Sequence, residues 1–183
     1  MKREQRRRQD DEFSAFVAGS GRQLLRLAEL LTGDPERAKD IVQSALERAY
    51  LHWHRITGDD PTAYVRRIVV NQHRDWWRRR RNHELPVEHI PDRPLTDDLA
   101  DRQAERALLR QALGTLTRRE RTVVVLRYYG DLTEAAIAAE LGIAPGTVKS
   151  TLHRAMSKLR ALPELADRSG GAVSPTTHIE VTV

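Results

Sequence analysis

Residues 132–159, LTEAAIAAELGIAPGTVKSTLHRAMSKL, decide how this chain is read. Thr133 stands at the cap of a short helix that turns Ala136 and Ile137 inward and stops at Leu141-Gly142, where glycine suits the left-handed backbone of a tight helix exit. Pro145 opens the next helix at a position whose amide hydrogen has no partner to lose. Val148, Leu152, Ala155 and Leu159 then recur at helical spacing as one buried stripe. Off that stripe fall Thr147, Lys149, Ser150, Thr151, His153, Arg154 and Ser157, side chains suited to phosphates and base edges. An ordinary pair of packed helices has the same periodicity. The short glycine-containing turn and the hydroxyl-rich, cationic outer face favour a DNA-reading helix-turn-helix.

Composition agrees without deciding. In 183 residues, 31 Lys and Arg oppose 26 Asp and Glu, a formal net charge of +5 that favours polyanion partners. Cysteine is absent, which excludes disulfides and thiolate metal sites. His52, His54 and His73 have no metal-ligand partners at suitable spacing, and no glycine-rich phosphate loop is present. The expectation is therefore a non-enzyme without cofactor or metal. No apolar run approaches the roughly 20 residues that span a bilayer, and no apolar signal region follows the charged start, so a cytoplasmic location is expected.

Residues 82–96, with Pro86, Pro91 and Pro94, read as an extended linker. Two small helical domains follow from that seam, at 10–81 and 97–163, in an all-α chain. A basic tail at 1–9 and a disordered tail at 164–183 flank them. In the first domain, Gly19-Ser20-Gly21 is expected to kink or break a helix carrying Phe13, Phe16, Leu24, Leu27 and Leu31. Asp34-Pro35 and Asp60-Pro61 each start a helix. The first of these buries Ala38, Ile41, Val42, Ala45 and Trp53 and shows Asp40, Gln43, Ser44 and Glu47 on its other side. The second, over 61–81, buries Val65, Ile68, Val69 and Trp76. It also carries Arg74 and Arg78, Arg79, Arg80 and Arg81 within eight residues. These charges repel one another unless a polyanion compensates, and interleaved aromatic rings offer unpaired bases a surface at about 1–3 kcal/mol per base. In the second domain a helix bears Ala107, Leu108, Leu109 and Leu113, and 117–120 forms a capping box before Val123 to Leu126.

These parts, in this order, resemble the extracytoplasmic-function sigma factors of bacterial RNA polymerase. Ala38-Lys-Asp40-Ile-Val-Gln43 resembles the family's A-x-D-hydrophobic-hydrophobic-Q motif. Tyr64-Val-Arg-Arg-Ile68-Val-Val-Asn71, followed by Asp75 and the arginines, resembles its aromatic-x-x-x-I-x-x-N pattern. LRYYGDLTEAAIAAELGIAPGTVKS resembles its most recognisable run. LRLAELLTGD, at 25–34, is similar to an actinobacterial sigma-E-like branch. Lys39 and Ser44 replace common glutamates, Tyr64 a common tryptophan and Thr151 a common basic residue.

The resemblance implies a promoter-specificity subunit that assists melting while core polymerase supplies catalysis. It implies that Asp40, Gln43, Ser44 and Glu47 meet the clamp of the polymerase largest subunit, although spacing alone reads that face as solvated. The second subunit's flap is a further implied partner. Tyr64, Arg67, Asn71 and Arg74, with the loop at 56–60, would grip the minus-ten element, and Arg78 and Arg79 the backbone. Thr133, Thr147, Lys149, Ser150, His153 and Arg154 would read the minus-thirty-five element. An anti-sigma factor enters as a partner through the resemblance alone. The alternative weighed beside it is a free-standing helix-turn-helix regulator, which would need a dimer interface or a ligand pocket.

Overall fold

A computed structural model describes residues 2–56, 60–81 and 100–163. The described residues form α1 (Lys2–Thr32), α2 (Pro35–Leu51), α3 (Trp53–Ile56), α4 (Pro61–Arg81), α5 (Ala100–Gly114), α6 (Arg118–Tyr128), α7 (Glu134–Leu141) and α8 (Pro145–Arg160). The fold is all-helical, as the periodicity requires. The segments read as a linker at 82–96 and a tail at 164–183 lie outside the described residues.

Helix α1 corrects two expectations. Residues 2–9, read as a tail, are its first turns, and it runs without a break through Gly19-Ser20-Gly21. Each helical glycine costs about 1 kcal/mol relative to alanine. Burial of Leu24, Leu27, Leu30 and Leu31 on the same helix outweighs that, since each fully buried leucine contributes about 1.5–3 kcal/mol. The glycine segment is also tied across the bundle, where the Ser20 and Thr62 hydroxyls lie 3.3 Å apart. Phe13 and Phe16 close the near end of the core against Trp53.

The starts predicted from Asp-Pro pairs are present. Asp34 Oδ1 accepts from the amides of Glu36 and Arg37 at 3.0 and 3.2 Å, and Asp60 Oδ1 accepts from the Ala63 amide at 3.0 Å. Trp53 is buried as expected, but on α3 rather than as an extension of α2. In the second block Thr117 and Glu120 form a reciprocal capping box. Gly142 caps α7 at φ 64°, and Pro145 occupies the first turn of α8. Leu109 is 42% exposed, while Ala112, Leu113 and Leu116 are buried after it.

The two blocks share one apolar core. The Arg121 guanidinium of α6 packs over Gly33 in the α1–α2 turn, where an added Cβ would meet Nη1 at 3.1 Å. Gly33 has φ 72°, so both its backbone and the close approach call for glycine. The Tyr129 hydroxyl donates to the Gln23 carbonyl at 3.4 Å. Arg66 of α4 meets Glu140 of α7 at 3.5 Å, both side chains largely out of solvent.

Candidate nucleic-acid interface

Helix α4 sorts its residues by face. Val65, Val69, Val70 and His73 are buried, with Ile68 half-buried beside them. Tyr64, Arg67, Asn71 and Arg74 are exposed at steps of three, four and three, so one surface presents an aromatic ring, an amide and two guanidinium groups. Arg78 and Arg79 continue the helix, and their side chains lie outside the described residues. Beside Tyr64, the residues His52, Arg55 and Ile56 line a cavity of about 420 Å³. Cavities of this size hold small organic groups. Part of the loop expected to act there, 57–59, lies outside the described residues.

Arg66 lies apart from this face, because Glu140 holds it in the contact between the blocks. Burial raises the Glu140 pKa, and Arg66 and Arg67 oppose that rise. His73, under the same helix, is pushed down to about 4 by burial and by the positive charges of Arg37, Arg121 and Arg118. It is therefore neutral at neutral pH. Neither role was read from the sequence. Yet Val65, Val69 and His73 recur at intervals of four, and that period places the imidazole inside. The Arg66–Glu140 pairing joins residues far apart in the chain, and no local pattern signals it.

On α2, Asp40, Gln43 and Glu47 are exposed on one side, and Gln43 Nε2 donates to Glu47 Oε1 at 3.0 Å. Ser44 is half-buried, its hydroxyl accepting from Gln72 Nε2 of α4 at 3.2 Å, so it braces the two helices. Asp40, Ser44, Arg37, Arg48, Gln72 and Trp76 border a groove of about 270 Å³ between α2 and α4. Trp76, expected in the core, is half-buried and covered by the Arg37 guanidinium.

Helix α8 presents Lys149, Ser150, His153, Arg154 and Ser157 to solvent, with Thr147 half-buried. Val148, Leu152 and Ala155 are buried, as their spacing predicts. Thr151 is a correction. Read as part of the outer polar face, it is 1% exposed, because its position three after Val148 and four before Ala155 falls in the stripe. Thr133 is exposed, and its Oγ1 accepts from the Ala136 amide at 3.1 Å, so it serves first as the cap of α7. Lys158 Nζ donates to Glu120 Oε2 at 2.8 Å and ties α8 to α6. Burial opposes ionisation of Glu120, but the hydrogen bonds from Lys158 and Thr117 outweigh it and hold its pKa below the ordinary value.

Among the described residues no three His, Asp or Glu side chains gather as metal ligands. No helix among them is long and apolar enough to cross a membrane.

Comparison with known proteins joins these surfaces to two family descriptions. Residues 16–83 match sigma-70 region 2, and residues 106–159 match sigma-70 region 4. The chain is 43% identical over 150 residues to the RNA polymerase sigma-E factor of Streptomyces coelicolor, covering 81% of this chain and 84% of that one. It is 33% identical over 144 residues to the ECF RNA polymerase sigma factor SigL of Mycobacterium tuberculosis, covering 75% and 80%. Among solved structures, RpoE in complex with the anti-sigma factor NepR from Bartonella quintana shares the fold. Its TM-score is 0.65 at 24% identity, over 85% of this chain and 97% of that one. CnrH in complex with the cytosolic domain of CnrY matches with a TM-score of 0.58 at 25% identity, over 87% and 90%.

Proposed function

Since this chain belongs to the extracytoplasmic-function sigma factors and is a non-catalytic RNA polymerase sigma factor for transcription initiation, we propose how its surfaces divide that work. The first domain begins with α1 at Lys2 rather than at residue 10 and runs to 81, and the second is 97–163, with 82–96 joining them. Tyr64, Arg67, Asn71 and Arg74 receive the melted minus-ten strand, and a base turned out of it enters the cavity beside Tyr64. Stacking on Tyr64 and hydrogen bonding by Asn71 offset part of the unpairing cost. Arg78 and Arg79 hold the adjoining backbone.

Thr147, Lys149, Ser150, His153 and Arg154 enter the major groove at the minus-thirty-five element, with Thr133 against the phosphates. Asp40, Gln43 and Glu47 meet basic side chains on the clamp of the polymerase largest subunit, with Ser44 setting their helix against α4. The second domain also rests on the flap of the second subunit. An anti-sigma factor is a further partner, a reading supported by the two similar structures solved with one or with a cytosolic partner domain. The working location is the cytoplasm, where core polymerase resides.

The observation that carries this reading is the separation of chemistry between the two outer faces. Aromatic, amide and guanidinium groups beside a cavity occupy α4, and hydroxyls with cations occupy α8. Run-off transcription on genomic fragments with core polymerase tests it. Wild-type protein should direct discrete transcripts that share two upstream elements. Asn71→Ala and Lys149→Ala should each weaken them. Transcripts that persist unchanged in both variants would overturn the assignment of the two faces.

A further inference from the structure

The first turns of α1 place their charges against the helix's own interest. Lys2, Arg3, Arg6, Arg7 and Arg8 outnumber the one acid, Glu4, at the positive end of the helix dipole, and Asp10, Asp11 and Glu12 follow. A helix end chosen for stability carries the reverse order. Cations in this position gain from an external anion.

Packing shows where such an anion would lie. Gln9 Nε2 donates to the Tyr50 carbonyl at 3.2 Å, the Tyr50 hydroxyl donates to Asp10 Oδ1, and Phe13 packs edge-on against Tyr50 and Trp53. These contacts fix α1 at the end of α2. Residues 2–8 continue beyond that anchor for about 10 Å, at 1.5 Å per residue. Arg8 is engaged with Glu12 at 3.0 Å, whereas Arg6 and Arg7 are exposed. Tyr50 is two residues from His52, which lines the cavity next to Tyr64. The arm therefore projects from the same end of the bundle as the cavity, and it precedes the region 2 match at 16–83.

We infer that the first turns of α1 form a further DNA contact, with Arg6 and Arg7 gripping backbone phosphates of the strand as it leaves the cavity by Tyr64 on the downstream side. This rests on the assignment of α4 to the melted strand. The arm reads no bases. It adds a sequence-independent, salt-sensitive hold on the promoter just beyond the minus-ten element.

The test uses holoenzyme and a promoter found by run-off transcription, prepared as two pre-melted templates. One ends within the minus-ten element, and the other continues past the start site. Binding is measured across a salt series for wild type, for Arg6→Ala with Arg7→Ala, and for Arg6→Lys with Arg7→Lys. On the long template the alanine pair should lower the log–log salt slope by about 1.4, the value for two single-strand phosphate contacts. The short template should show no change, and the lysine pair should keep the wild-type slope. Alanine also favours helix, so loss of the arm's structure would not explain the result. Equal slopes for wild type and the alanine pair on the long template would overturn the inference. So would an equal loss on both templates, or weaker binding of the alanine pair to core polymerase without DNA. Asn71→Ala on the same templates separates the underlying reading: if it alters neither, the assignment of α4 fails whatever the arm does.

Discussion

Helices α4 and α8 both turn a polar face outward from the same core, yet the two faces are built differently. That of α4 includes an exposed phenol ring at Tyr64 and borders a cavity; that of α8 carries hydroxyls, the cations Lys149 and Arg154 and the imidazole of His153. A ring and a cavity suit unstacked bases, whereas hydroxyls and cations on a helix face suit the edges of an intact duplex. Their supports differ as well. Beneath α4 lies a neutral, buried His73 surrounded by arginine charge, and beside it the Arg66–Glu140 contact. Beneath α8 lie Val148, Thr151, Leu152 and Ala155, with the helix tied down by Lys158–Glu120. The contrast teaches that a similar periodicity can carry two chemically different faces, which the proposed function assigns to two states of the same DNA.

The largest expected effect comes from the contact that ties the α4 side to the helix-turn-helix. Glu140→Ala leaves Arg66 with its buried partner removed and should cost roughly 3 kcal/mol in urea unfolding. A loss under 0.5 kcal/mol would mean that the two faces are held independently. Acid should then separate their supports. His73 binds a proton in the unfolded chain near pH 6.5 but in the folded one only near about 4. Its contribution is thus fully present above pH 6.5 and is lost as the pH falls toward 4, by up to about 3 kcal/mol. The Glu120 pKa is lowered too, but from the carboxylate range, so the Lys158–Glu120 tie is fully present above that range and is lost only as the pH falls below it. Hydrogen exchange at pH 5 should accordingly rise in α4 before α8, and His73→Leu should remove the difference. Simultaneous loosening in wild type would break the comparison.

Smaller effects test the faces themselves. Tyr64→Ala should cost about 1–3 kcal/mol of promoter binding, and the loss should persist on a template pre-melted at minus-ten, because stacking is lost rather than melting hindered. Full recovery on that template would assign Tyr64 to melting alone. Lys149→Ala should lower the salt slope of holoenzyme binding by about 0.9, the value for one duplex phosphate contact, whether or not the minus-ten element is pre-melted.

Much of this architecture was legible in the residues. Asp-Pro starts, the capping box and Gly142 act within one or two turns, so their local chemistry fixed the helix boundaries. Most of the α8 face followed from a period of 3.6, whereas the four residues of the α4 face were named through the resemblance and share one exposed side of the helix. What misled was local propensity set against tertiary packing. Gly19 and Gly21 suggested a break that the buried leucines of α1 override, and the hydroxyl of Thr151 suggested solvent although its position falls in the stripe. What was invisible depends on residues distant in the chain. Arg66 with Glu140, Arg121 over Gly33 and Tyr129 on Gln23 arise only once the two blocks meet.

The most direct test of the division between α4 and α8 measures holoenzyme binding to two DNA probes. One is a single strand carrying only the minus-ten element, and the other is a duplex carrying only the minus-thirty-five element. Tyr64→Ala with Asn71→Ala should weaken binding to the single strand and leave the duplex unchanged, and Lys149→Ala with Arg154→Ala should do the reverse. Equal losses on both probes from either pair would contradict the account.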